Sequence, residues 1–136
     1  PDRTLAEPMI ALDRLDHVVL TARDLTETCN FYQRVLGMRL EAFGNGRLAL
    51  LYGDQKINLH EAGSEFEPKA DRPTPGGLDL CFTTRTPIEA VVAHLQASGV
   101  PILEGPVERT GARARLMSVY FRDPDGNLIE VSNELG

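Results

Sequence analysis

The feature that most restricts the fold is a repeat of pattern: strand, capped helix and further strands occur twice in the chain. Leu15 to Thr21 alternates as a strand, with Val18 and Leu20 on one face and His17, Val19 and Thr21 on the other. Leu78 to Thr84 alternates likewise, setting Leu80 and Phe82 against Asp79, Cys81 and Thr83. A helix with marked ends follows each strand. In the first, Asp24 and Glu27 have capping-box spacing, Leu25, Cys29, Tyr32, Val35 and Leu36 form an apolar stripe, and Gly37 is the stop. In the second, Thr86, Pro87 and Glu89 give the N-cap, first-turn proline and capping box, Ile88, Val91 and Leu95 the stripe, and Gly99 the stop. A constant offset of 62 carries His17 onto Asp79, Asp24 onto Thr86, Gly37 onto Gly99 and Leu40 onto Ile102. Farther along, Ile57-Asn58-Leu59 falls on Ile129-Glu130-Val131 at an offset of 72. The difference is assigned to an extra Gly/Pro/Arg loop from Glu104 to Ala114.

The remaining strands are expected at Met38–Phe43, Arg47–Tyr52 and Lys56–Glu61, joined at Asn45-Gly46 and Gly53-Asp54. Their counterparts are expected near Val100–Leu103, Arg115–Phe121 and Leu128–Ser132. Residues 1–14 form an arm that packs on a partner, and a Pro/Gly-rich linker at about 63–77 separates a first module at about 14–62 from a second at about 78–134. One domain of α+β class follows, with helices covering one face of an open, curved mixed sheet. A length of 136 residues suffices for an ordinary core.

The final strand is introduced by Asp123-Pro124-Asp125-Gly126-Asn127, in which every residue is a turn former. Period-two geometry then sets Glu130 opposite Ile129 and Val131. A carboxylate held there must face water, a partner or a metal. If Val18, Leu20, Ile57, Leu59, Leu80, Phe82, Ile129 and Val131 all face the helices, then His17, Asn58, His60, Asp79, Glu130 and Ser132 share the opposite side. Two imidazoles and two carboxylates on one concave face suit a divalent cation such as Zn, Ni, Mn or Fe(II).

A formal net charge of −6 argues against a nucleic-acid surface. With neither an apolar run of membrane length nor a signal-peptide pattern, a cytoplasmic location without membrane association is expected. Cys29 and Cys81 are expected to be packed thiols rather than a disulfide, with Cys81 bordering the site as the alternative.

Leu15-Asp16-His17-Val18-Val19-Leu20, the helix carrying Asn30-Phe31-Tyr32 and ending Val35-Leu36-Gly37, and Tyr120 to Glu130 together resemble the vicinal oxygen chelate superfamily. That group holds glyoxalase I, extradiol dioxygenases, fosfomycin-resistance transferases and bleomycin-binding proteins. The nearest subgroup, through Lys56-Ile57-Asn58-Leu59-His60-Glu61 and Gly105 to Gly111, is that of uncharacterised glyoxalase-domain proteins. The resemblance implies paired β-α-β-β-β modules forming a metal-binding cup, and a homodimer. It makes His17 and Glu130 metal ligands and Tyr120 a substrate contact. Asp79 stands where the family commonly has histidine, and Asn58 where glyoxalase I has glutamate.

The metal set expected is therefore His17, His60, Asp79 and Glu130. His60 and Glu130 are the expected proton-moving groups, and Asn58, Tyr120 and Arg109 the expected contacts to a small-molecule substrate. Alternatives are an ion pair of Asp79 with Arg113 or Arg115, and a solvated loop for Arg109, Arg113 and Arg115. The function expected is a glyoxalase-like metalloenzyme that stabilises an enolate or oxyanion, with lactoylglutathione-type isomerisation as the reference reaction. The alternatives are Fe(II)-dependent extradiol ring cleavage and non-enzymatic sequestration of an antibiotic-like ligand.

Overall fold

A computed structural model describes residues 9–136; the first eight residues of the expected arm lie outside them. The order is β1 (His17–Ala22), α1 (Leu25–Leu36), β2 (Arg39–Phe43), β3 (Arg47–Tyr52), β4 (Gln55–Glu61), β5 (Asp79–Thr83), α2 (Ile88–Ala97), β6 (Glu104–Thr110), β7 (Arg115–Arg122) and β8 (Leu128–Glu134). Each β-α-β-β-β module forms its own open four-stranded mixed sheet, ordered β1-β4-β3-β2 and β5-β8-β7-β6. The β1–β4 and β5–β8 pairs are parallel and the others antiparallel. Val19 lies opposite Asn58 and Cys81 opposite Glu130. The offsets of 62 and 72 are thus offsets between equivalent ladder positions.

Apolar residues on alternate strand positions turn inward as expected. Leu20, Ile57, Leu59, Ile129 and Val131 are buried with Cys29, Tyr32 and Val35 of α1 and Ile88 and Leu95 of α2 in one cluster. Each such aliphatic side chain contributes about 1.5–3 kcal/mol by leaving water. The cluster spans both modules: Phe31 packs on Phe121 with ring centroids 6.3 Å apart, and Tyr52 on Phe82 at 5.2 Å. With both helices against the inner faces, the outer faces carry the polar set.

The Asp-Pro-Asp-Gly-Asn turn does more than fix the register of β8. Asp123 is buried, and its carboxylate accepts from Tyr32 Oη at 2.7 Å, Asp125 N at 3.0 Å, Asn127 N at 2.9 Å and Asn127 Nδ2 at 2.7 Å. Asp125, with a side chain 5% exposed, accepts from Arg23 Nε at 3.0 Å. Both carboxylates therefore fasten a turn of the second module to the first. Asn127 Oδ1 also accepts from Leu78 N at 2.8 Å, tying the start of β5 to the same turn.

Helix α1 begins as expected, with Asp24 Oδ1 accepting from Glu27 N at 3.0 Å, and ends at Gly37 with φ 66°. Helix α2 does not. Pro87 occupies the N-cap, one residue later than the Thr86 expected there, and no side chain of the helix caps it, so the Thr86/Glu89 box is not formed. Asn133 of β8 takes over: its Oδ1 accepts from Ile88 N at 2.8 Å, while its Nδ2 donates to the carbonyls of Thr84 and Thr86. Asn133→Ala is expected to cost about 1–2 kcal/mol, the range for a lost cap. Urea denaturation checks this, and Thr86→Ala should leave the midpoint nearly unchanged.

A second correction concerns Glu104–Ala114, expected to be a loop. Most of it is β6, an edge strand paired with β7 after a register shift between Glu104 and Val107, and residues 100–103 form no strand. Gly105 permits this approach: its φ is 107°, and a Cβ there would lie 2.3 Å from the Ser118 carbonyl oxygen. Among the described residues, no helix is long and apolar enough to cross a membrane.

Candidate active site: two half-sites on the outer sheet faces

On the first outer face, His17 opens β1 with its side chain 41% exposed and Nδ1 2.9 Å from Asp16 Oδ1, leaving Nε2 for a ligand. Asn58 and His60, alternating on β4, are both buried, and Asn58 Oδ1 and His60 Nε2 have no hydrogen-bond partner. The cover comes from the linker. Phe66 packs its ring edge-on to His60 at 5.7 Å, and Pro68, Lys69, Ala70, Arg72, Pro73 and Thr74 roof a cleft of about 870 Å³ that also contains His17, Val19, Thr21 and Arg47. Burial, reinforced by the Arg47 charge and partly offset by Glu65, holds His60 below the usual histidine range, so its ring is neutral.

His17 pairs with Lys56, whereas His60 pairs with Thr21, four residues farther along β1. At the rise of a strand this is a separation of about 13 Å, too far for two imidazoles to hold one ion. The expected ligand set is corrected accordingly: His17 and His60 occupy opposite ends of the face.

On the second outer face, Asp79 and Cys81 are exposed, and half-buried Glu130 lies between Cys81 on β5 and Tyr120 on β7. Ser132 Oγ donates to Glu130 Oε2 at 3.3 Å and lies 2.6 Å from Ser118 Oγ. Arg109 donates from Nε to Tyr120 Oη at 3.0 Å, lies over its ring and pairs with Glu104 at 3.0 Å. Arg113 pairs with Glu134 and Arg115 with Glu108, so neither takes Asp79 as partner. Arg109 thus belongs to strand β6 rather than to a loop, and Arg115 opens β7 as expected. A cleft of about 530 Å³ joins Cys81, Arg109, Tyr120 and Glu130. Cys81 is a wall of this cleft and not a core residue. Burial pushes its thiol above the ordinary range, so it is no ready nucleophile. Cys29 is buried as expected, and both thiols are free.

His17 and Asn58 on the first sheet occupy the ladder positions that Asp79 and Glu130 occupy on the second. An imidazole, an amide oxygen and two carboxylates have the donor chemistry of a mixed N/O site for a divalent cation. Within one chain they stand as two pairs: no three His, Cys, Asp or Glu side chains gather among the described residues.

Sequence reasoning missed Arg47. The available signal was a lone cation in an apolar strand, at the register that faces the same side as Asn58 and His60.

The profile of the Glyoxalase/Bleomycin resistance protein/Dioxygenase superfamily matches residues 14–131. The chain is 58% identical to Virulence protein STM3117 of Salmonella typhimurium over 121 residues, covering 89% of this chain and 84% of that one. The crystal structure of that protein matches with a TM-score of 0.91, covering 93% of this chain and 100% of that chain at 56% identity. Glyoxalase domain-containing protein RDO1 of Mycosarcoma maydis is 52% identical over 124 residues, 91% of this chain and 70% of the other. Glyoxylase I 4 of Arabidopsis thaliana is 30% identical, covering 90% and 71%. Fold, outer-face residues and similarity agree: the chain belongs to the Glyoxalase/Bleomycin resistance protein/Dioxygenase superfamily.

Proposed function

We propose that the chain is a divalent-metal-dependent small-molecule enzyme of the glyoxalase type, working as a homodimer. His17 and Asn58 of one subunit would face Asp79 and Glu130 of the partner subunit. The observation that carries this reading is the equivalence of the two donor pairs, each incomplete alone, with His17 and Asp79 exposed on their faces. The name of the Arabidopsis relative supports the chemical class. The metal would supply Lewis-acid stabilisation of negative charge on substrate oxygen.

Every other role falls to side chains of this chain. Glu130, bonded by Ser132 and by no arginine among the described residues, has an oxygen free to take and return a proton within the cleft. Tyr120, held by Arg109, forms the adjoining wall and orients the substrate. The dimer has separate support in an apolar stretch that no described residue covers: Met9, Ile10, Leu12 and Leu15 are exposed. A second copy would bury these groups. Arg14, bonded to Asp54 at 2.7 Å, fixes the base of the stretch.

The test combines metal analysis, sedimentation and an assay with the hemithioacetal of methylglyoxal and glutathione. A dimer binding near-stoichiometric Zn, Ni or Mn, with activity lost to chelation and restored by metal, is expected. A monomer at micromolar concentration, or a dimer that binds none of these ions, would sink the proposal. Oxygen uptake with catechols under Fe(II), and no isomerisation, would replace it with ring cleavage.

A further inference from the structure

Four buried side-chain polar atoms lack a hydrogen-bond partner among the described residues, and three of them belong to one cleft: Arg47 Nε, Asn58 Oδ1 and His60 Nε2. The register makes them neighbours. Ala49 lies opposite Asn58 and Leu48 opposite Leu59, so Arg47 comes level with His60. Leaving such groups dry and unpaired costs about 1–3 kcal/mol each. Three beside one another in a roofed cleft mark a place built around a ligand.

The cleft also has a sign. Its lining includes Arg47, Lys69 and Arg72 and no carboxylate, in a chain whose net charge is −6. Lys69 is paired with Glu67 and Arg72 with Asp71. Arg47 pairs with no carboxylate among the described residues. Its guanidinium is instead stacked on Phe43, 5.3 Å from the centroid, and on Phe66, 4.8 Å away. Aromatic contacts hold the fork in place without neutralising it. Glu65, whose charge reaches His60, is turned to Gly63 N at 3.1 Å. A fixed, uncompensated guanidinium beside an imidazole nitrogen is a receptor for the two oxygens of a carboxylate. In the metal-free protein Asn58 Oδ1, the oxygen that the metal would otherwise take, is an acceptor and needs a donor from the same ligand, which a hydroxyl provides.

We propose that this cleft binds a small hydroxy acid, with Arg47 and His60 holding its carboxylate and Asn58 its hydroxyl. The role of that acid as the substrate's own end group rests on the proposed enzyme function; its binding does not. Phe66 packs on His60, and Pro68, Lys69, Ala70, Arg72, Pro73 and Thr74 line the cleft, so the linker is the wall of a subsite as well as a connection between modules.

The experiment uses the full chain treated with chelator, titrated with glycolate, acetate and inorganic phosphate and followed by amide NMR. Glycolate at millimolar concentration is expected to shift the resonances of Arg47, Asn58 and His60. Acetate, lacking the hydroxyl, should bind several-fold more weakly, and phosphate more weakly than glycolate. Arg47→Gln should weaken glycolate about tenfold or more, as loss of a charge-assisted bond requires. Should that variant not fold, Arg47→Lys, which keeps the charge and loses the fork, should show a smaller loss.

Absence of glycolate shifts at these residues in the folded wild type overturns the proposal. So does equal binding to the Arg47 variants. Acetate matching glycolate removes the hydroxyl assignment, and phosphate exceeding it removes the carboxylate. Because no metal is present, these outcomes are independent of whether the enzyme reading survives.

Discussion

Replacing Asp123 by alanine is expected to destabilise the protein by about 3–5 kcal/mol, since several donors lose their acceptor at about 1–3 kcal/mol for each that stays buried. Four donors end on this carboxylate: the Tyr32 hydroxyl, two backbone amides and the Asn127 side chain. Removing it leaves all four inside without acceptors. Tyr32→Phe removes one donor and leaves three, so it should cost only about 1–2 kcal/mol. Urea unfolding followed by circular dichroism separates the two, with the midpoint falling and the slope unchanged. If Asp123→Ala lay within about 1 kcal/mol of wild type, the turn would not be the fastening between modules described above.

The second large effect concerns chemistry and not stability. His17→Ala and Glu130→Gln are expected to lower metal occupancy and to cut hemithioacetal turnover by roughly 10²–10⁴-fold, the range for losing a metal-activated or general-base step. Both should unfold near the wild-type midpoint. The His17 side chain is 41% exposed and bonded to its neighbour Asp16, and half-buried Glu130 takes a bond from Ser132. Stable variants that keep both metal and turnover would remove these two residues from the site. Asp123→Ala thus reports on the turn and Glu130→Gln on the strand it introduces, which separates architecture from function within one short stretch.

Much of the fold was legible because its signals are local. Period-two alternation assigned both faces of β1, β4, β5 and β8, since one face of each meets a helix. The spacing of the repeat made Asn58 and Glu130 counterparts, and they hold equivalent ladder positions opposite Val19 and Cys81. Errors arose where distant groups decide. The cap of α2 comes from Asn133, 45 residues away from Ile88, so Thr86 looked sufficient. Strand β6 has a neighbour on one side only and carries Gly105, Pro106, Glu108 and Arg109, the charges and breakers that edge strands tolerate and loops favour.

The candidate site divides the same way. Which residues face outward could be read from alternation, and His17, Asn58, His60, Asp79 and Glu130 all do so. Their separation along the face could not, because it depends on ladder register: one shift decides whether His60 stands beside His17 or beside Thr21. Nor does the linker show in its composition that it covers Asn58 and His60. Arg47 was overlooked because its importance lies in having no ion-pair partner among the described residues, and a lone cation in an apolar strand does not show that by itself.

The central claim is that each metal site takes His17 from one subunit and Glu130 from the other. Subunit complementation tests it directly. His17→Ala and Glu130→Ala chains, each inactive alone, are unfolded together, refolded as an equal mixture and assayed with metal. Random pairing makes about half of the dimers mixed, each with one doubly altered and one intact site, so about a quarter of wild-type activity should return. If the mixture forms heterodimers yet stays as inactive as its parents, the site is not shared between subunits and the account is contradicted.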